Sequence, residues 1–438
     1  MTVTPDMLQR SSELKNALID FSQHRRFSRH FADAMKRYLP ANLTNDDLAN
    51  DPAAGLLVMN AIDQFLFQYK LPDGRTMVEL FVERHPELSD DERQLLLGWR
   101  DVVDGIFHLE RRDGDAVILA NLVDELKYRV HSNMGEEGLN KIPIGWYQIA
   151  RLVPIEEDWL YSGASAPLGP EERTAAYRAA ARLAVDFPHM LFRNPEILAR
   201  GWALQREERG HFLDFFGADL IVGTGHEMAE RMRAFVHYLL HDARGRDGKS
   251  AADQTLQMYG EAVMAQRFSV PSDMEDDDGL AVCYDEEEGF VFWGGFGDVA
   301  AAFASPDLVA RGPHRRAVLE YLKDETIAPT ALRRLAARDP GKASRVFAQV
   351  TNRPGFSWDR DGEALLRQYK AAYFDRPRLP DITPLGDELA QALRAVRADA
   401  QLNRAASSPT TRARPETFWS DPRVDRSAGQ RESRRTRR

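Results

Sequence analysis

Gly223-Thr224-Gly225 follows an apolar run and precedes an amphipathic stretch, an order in which the free amides of a helix N-terminus can meet an anion. These three residues are a candidate anion site. The dinucleotide fingerprint, however, needs a small residue where Met228 stands, and the phosphate-loop pattern needs a Gly-Lys-Ser/Thr run that is absent. Thr224 and Glu227 also read as a capping box, so the glycines equally suit the tight entry turn of a helix. His237 and His241 lie four apart on one helix face, as two metal ligands would. Position 238 is Tyr, so the metalloprotease pattern fails, and His226 is offset around the helix. Asp273, Glu275, Asp276, Asp277 and Asp278 suggest calcium, but a loop registered on Gly279 puts Met274 at its first ligand and Asp285 at its last. A solvated acidic loop fits better, one that could also meet a basic partner such as the chain's own arginine-rich end. No Gly-x-Ser-x-Gly element is present to expose a serine nucleophile. Cys283, the single cysteine, sits in an apolar strand pattern where a thiol behaves as a small hydrophobe.

Nucleic-acid contact has two candidate sources. Thr330–Leu335, then Asp339-Pro340-Gly341, then Lys342–Val350 has the outline of a helix-turn-helix, with Lys342 and Arg345 as the charged contacts; its Ala, Val and Phe spacing equally suits a packed helical hairpin. The second source is the C-terminus. Residues 403–438 hold ten arginines against Glu416, Asp421, Asp425 and Glu432, a net of +6, so the chain's −10 leaves −16 for the rest. Arg434, Arg435, Arg437 and Arg438 are the candidate contacts there, on a tail too poor in apolar residues to order itself. The acidic body argues against a broad electrostatic footprint for nucleic acid.

The elements that would position these groups follow from pattern. The 438 residues exceed what one hydrophobic core usually holds, about 250–300 residues, so two or three domains are expected. Leu14, Ala17, Leu18 and Phe21, then Phe27, Phe31, Met35 and Tyr38, recur at helical spacing. Thr76 with Glu79 and Ser89 with Glu92 are capping boxes that open two further helices. A β block then spans about Val103–Ser162: five short runs rich in β-branched and aromatic residues, the first two joined at Asp113-Gly114, fit a small barrel or curled sheet. Alternation along 146–152 places Trp146 and Leu152 in its core. Beyond Gly169-Pro170 come helices, a strand at Ala218–Val222, a hairpin folding Leu280–Tyr284 onto Phe290–Trp293, and mostly helix from Arg315 to Ala395.

Ala61–Phe67, Leu71-Pro-Asp-Gly-Arg-Thr76, Glu79–Phe81, Leu88–Leu96 and the β block through Ala150–Val153 together resemble a group of uncharacterised bacterial proteins, some of which end in the cysteine-rich SEC-C zinc motif. The resemblance covers residues 55–165 and implies no known activity. With Cys283 alone the chain departs from those members and cannot form that zinc motif.

The expected architecture is α+β: a helical region at 1–102, a small β-barrel-like module at 103–165, a mixed α/β domain at 166–400 and a disordered basic tail at 401–438. No run approaches the ~18 apolar residues of a membrane helix and the N-terminus lacks a secretory pattern, so the expected location is cytoplasmic, away from membrane. No catalytic residue, cofactor or metal is assigned, and no stoichiometric zinc is expected. Every chemistry tested lacks part of its motif. The leading expectation is therefore a non-enzymatic interaction or adaptor protein with an unknown protein partner. Nucleic-acid association through the tail or the Thr330–Val350 helices is the alternative, and a hydrolase without a recognisable motif the third.

Overall fold

Local signals place the helices. In the computed structural model, which describes residues 3–40, 43, 52–244, 261–310 and 312–406, Thr76 and Ser89 each accept from the amide three residues on, while Glu79 and Glu92 return to the caps' own amides. The first helices are α1 (Pro5–Ser22), α2 (Ser28–Tyr38), α3 (Pro52–Phe67), α4 (Met77–Arg84) and α5 (Asp90–Gly98). The β block follows as β1 (Val103–Asp113), β2 (Ala116–Asn121), β3 (Lys127–His131), the short helix α6 (Gly135–Asn140), β4 (Tyr147–Ile155) and β5 (Asp158–Leu168). Then come α7 (Arg173–Asp186), α8 (Pro188–Leu191), α9 (Pro195–Phe216), β6 (Leu220–Gly223), α10 (Gly225–His241), α11 (Glu261–Arg267), β7 (Leu280–Asp285), β8 (Gly289–Trp293) and α12 (Phe296–Ala304). The chain continues through α13 (Gly312–Lys323), α14 (Pro329–Arg338), α15 (Pro340–Thr351), α16 (Trp358–Tyr369), α17 (Ala371–Asp375) and α18 (Asp387–Ala406). The architecture is α+β. No helix among the described residues is long and apolar enough to cross a membrane.

The described residues divide into two compact units, those up to 194 with those from 391 on, and those from 195 to 390. The expected helical region and β module thus share one unit. In it, the five strands pair in the order β1-β2-β3-β5-β4, and β4 pairs back onto β1 to close the ring. Closure depends on β1 being long: Val103–His108 pairs with β4 and Phe107–Asp113 with β2, with a bulge between Leu109 and Arg111 that bends the strand. Gly114, at φ 65°, makes the Asp113-Gly114 turn. Val103, Phe107, Leu109, Val117, Leu119, Tyr128, Val130, Ala150 and Leu152 fill the ring, joined by Leu139 of α6. The opposite face of β4 and β5 carries Val153, Ile155 and Leu160 into a second core with α1, α3, α4 and Trp99.

One core assignment changes. Leu152 is fully buried, but Trp146 is only half-buried and lies one residue before β4. Gly145 at φ 86° and a Trp146 N–H to Pro143 carbonyl bond of 3.3 Å form a turn there, so strand alternation does not reach Trp146.

In the second unit β6, β7 and β8 form an antiparallel sheet in sequence order. Alternation on β7 sends Leu280, Val282 and Tyr284 to a core with Phe212, Met228, Met232, Phe235 and Leu239, and Ala281 and Cys283 to a second core with α12–α16. Helices therefore cover both faces.

Candidate functional site

A dense buried polar cluster lies where the first unit's helices meet its strand ring. Asp63 of α3 is 2% exposed and Arg151 of β4 is fully buried. Arg151 donates through Nε to Asp63 Oδ2 at 3.0 Å, through Nη1 to Asp104 Oδ2 at 3.0 Å, and through Nη2 to Gln68 Oε1 at 2.9 Å. Lys15 of α1 donates to Asp63 Oδ1 and to Ser162 Oγ, each at 2.8 Å, and Ser162 donates to Asp63 Oδ1 at 2.7 Å. Beside them Gly163, at φ 66°, would bring a Cβ to 2.4 Å from Asn60 Oδ1, the atom that accepts from Ala164 N–H. Glycine there lets α3 lie directly on β5.

Ser162, Lys15 and Asp63 are the residue types of a nucleophile, a base and an orienting acid. Their hydrogen bonds run the other way. A serine nucleophile must give its proton to the base, whereas Lys15 donates to Ser162 and the serine's proton goes to the carboxylate. Burial opposes the charge on Asp63, but Lys15 and Arg151 together outweigh it and hold the carboxyl below its usual range. Asp104 has Arg151 as its charged partner and faces Asp63, and burial pushes it up to about 6. The cluster ties α1, α3, β1, β4 and β5 together as counter-charges.

A second buried carboxyl braces the β2–β3 turn. Asp124 accepts from Tyr128 Oη at 2.6 Å, Leu126 N–H at 2.9 Å and Asn121 Nδ2 at 3.2 Å, and burial raises it to about 6 despite these bonds. Asp104 and Asp124 both sit above the ~3.9 of an unfolded aspartate. The folded state therefore binds protons more tightly between about pH 4 and 6, and its stability falls as pH rises through that window. Carbon-13 NMR titration should show both carboxyls with midpoints near 6; midpoints near 4 would contradict the burial argument. Asp63 contributes the opposite sign, losing its stabilisation as pH falls through its depressed pKa.

At the β1–β2 and β4–β5 turns, Arg129 bonds Asp113, Asp115 and Asp158 at 2.8, 3.0 and 2.5 Å. The buried His131 ring places Nε2 2.9 Å from Asp158 Oδ2, with Nδ1 3.8 Å from Asp115 Oδ2. Glu110 pairs with Lys127 at 2.8 Å and Arg111 with Asp113 at 2.7 Å, so this outer strand face is a lattice of paired charges.

In the second unit the sequence-predicted groups separate. Thr224 and Glu227 form their capping box, and the Gly225 amide donates to the Asp277 carbonyl at 2.7 Å. A Cβ on Gly225 would stand 2.2 Å from Met274 O and 2.3 Å from Glu275 O, so the acidic loop's own backbone lies over this helix end. Asp277 also accepts the Gly279 and Gly295 amides at 2.7 and 2.6 Å, which makes it a loop organiser. Gly223 precedes this turn at the end of β6, its own amide and carbonyl level with Leu280 in the ladder. His237 and His241 are exposed with ring centroids 4.4 Å apart. Lys342 and Arg345 are on α15. The α16 contact falls on another side of that helix, where Ser344 Oγ accepts Trp358 N–H at 2.8 Å and Phe347 stacks on Trp358 at 5.0 Å, and Arg345 is exposed. Arg434, Arg435, Arg437 and Arg438 lie outside the described residues. Cys283 is fully buried, and burial pushes its thiol up to about 12.

The site that sequence reasoning missed is the β3–β4 connection, residues 132–146. Leu139 is inserted into the ring's core at 5% exposure. Arg112 of β1 donates to the carbonyls of Leu139 and Ile142 at 2.8 and 3.0 Å, and Ser11 of α1 donates to Asn133 Oδ1 at 3.1 Å. On either side of α6, Met134 and Ile144 are 63% and 56% exposed. The sequence carried one signal for this, an apolar Ile144 isolated between Pro143 and Gly145.

No protein-family model, curated protein or solved structure matches the chain.

Proposed function

We propose that the chain is a non-enzymatic interaction protein and that the β3–β4 connection is its recognition element. The observation that carries this reading is the pairing of exposed Met134 and Ile144 with a backbone pinned by Leu139 and Arg112. An apolar side chain presented on a pre-ordered segment binds without a further ordering cost. The arrangement of the Lys15–Asp63–Ser162 cluster supports the same reading, because its bonds hold elements together in place of activating a nucleophile.

The nucleic-acid reading has one observation in its favour. A five-stranded closed ring is the architecture of oligonucleotide- and oligosaccharide-binding barrels, which offer strands 2 and 3 and the 1–2 and 4–5 turns to ligand. Single-stranded nucleic acid needs aromatic platforms and free cations there. In this chain Phe107 and Tyr128 point into the core, and Arg111, Lys127 and Arg129 are matched to carboxylates. This favours a protein ligand.

The test is quantitative affinity capture from the producing cells with wild-type and Met134→Glu/Ile144→Glu baits. Both positions are solvent-facing, so the melting temperature should stay within about 1–2 °C, consistent with the ±0.5 kcal/mol typical of surface substitutions. A partner recovered by the wild type should fall at least about tenfold with the variant, a loss of ~1.4 kcal/mol or more. Undiminished recovery would move recognition elsewhere.

A further inference from the structure

We propose that His237 and His241 form an exposed chelate for a late first-row divalent metal ion, with Cu2+ the best fit. On α10, Met228, Met232, Phe235 and Leu239 face the core, while both histidines lie on the exposed side, one helical turn apart. Neither ring packs into that core, and the two imidazoles lie against each other, at 4.4 Å between centroids and 54° between planes.

That distance can be set against the spacing a shared ion requires. With metal–nitrogen bonds of about 2.0–2.1 Å, an ion shared by two imidazoles lies ~3.2 Å from each ring centroid, so the centroids stand ~4.5 Å apart at a right angle and ~5.2 Å apart at the tetrahedral angle. The 4.4 Å separation lies nearer the right-angle spacing, so a turn of the exposed rings about their side-chain bonds is all that bringing one nitrogen of each onto a shared ion requires. Right-angled nitrogen pairs belong to the tetragonal geometry of Cu2+, which also heads the affinity order of the divalent series. His241 is the last residue of α10, where the negative end of the helix dipole favours a cation. Two local charges act against binding. Arg233 is one turn before His237, and Arg244 donates to the carbonyls of His241 and Ala243 at 3.3 and 3.1 Å. With two protein nitrogens, the ion keeps its other positions for water or an incoming ligand, so the site is exchangeable. It differs from the closed three- or four-ligand arrangement of a structural zinc centre.

The experiment titrates Cu2+ into the full chain in a non-chelating buffer, reading bound copper by calorimetry and by electron paramagnetic resonance. Wild-type protein should show one tightest equivalent with nitrogen coordination. His237→Gln and His241→Gln should each weaken it at least about tenfold, because the second imidazole binds intramolecularly once the first has bound. Circular dichroism should show both variants folded like wild type, since neither side chain is packed. Overturning results would be an unchanged tightest equivalent in the double variant, or a wild-type protein with no site tighter than that variant's.

Discussion

Replacing Arg151 with methionine should destabilise the first unit by about 3–5 kcal/mol, because removing one partner of a buried ionic set leaves uncompensated charge behind. The guanidinium is fully buried and bonds three side chains, Asp63, Asp104 and Gln68. Methionine keeps much of the volume, so the loss is electrostatic more than steric. A second substitution separates the two. If the cost arises from the stranded carboxylates, adding Asp63→Asn to Arg151→Met should recover part of the loss, and thermal melts of the four species give the coupling directly. Strict additivity of the two changes would mean that the arginine acts through packing alone.

Trp99→Ala should cost about 3–5 kcal/mol, the usual range for emptying a buried tryptophan site. Trp99 is 1% exposed, lies edge-on to Phe67 at 5.6 Å and fills the core between α3 and the outer face of β4. Trp146→Ala should cost clearly less, since that side chain is half-buried outside the strand. Trp99→Phe is the discriminating control. The indole Nε1 is buried without a hydrogen-bond partner, so phenylalanine removes an unmet donor and should be milder than alanine. Denaturant melts that rank Trp146→Ala as the costlier change would contradict this placement.

The contrast between these two tryptophans shows what the sequence could convey. Features written within three or four residues were legible: the Thr76, Ser89 and Thr224 capping boxes, the Asp113-Gly114 turn and the Leu280–Trp293 hairpin all form where their residues predict. Strand ends were less so. Alternation runs through Trp146 on paper, while Gly145 at positive φ ends the strand at Tyr147. Long-range pairing was not legible at all. Arg151 and Asp63 are 88 positions apart, and among 68 carboxylates no spacing rule selects that one. Arg151 reads as an outward residue by its charge, yet it is buried because α3 supplies Asp63, and the turn just past its end Gln68, above the strand. The Gly223-Thr224-Gly225 turn was legible as a helix entry. The acidic loop that lies over Gly225 comes from fifty residues downstream and leaves no local trace.

The β3–β4 connection is proposed to receive a protein partner, with the charged strand face left free of nucleic acid. Site-specific photo-crosslinking in living cells tests it most directly, with the reactive side chain placed at position 134, 144 or 111. Positions 134 and 144 should give discrete protein adducts, resistant to nuclease, and position 111 none. Adducts confined to position 111, and removed by nuclease, would contradict it.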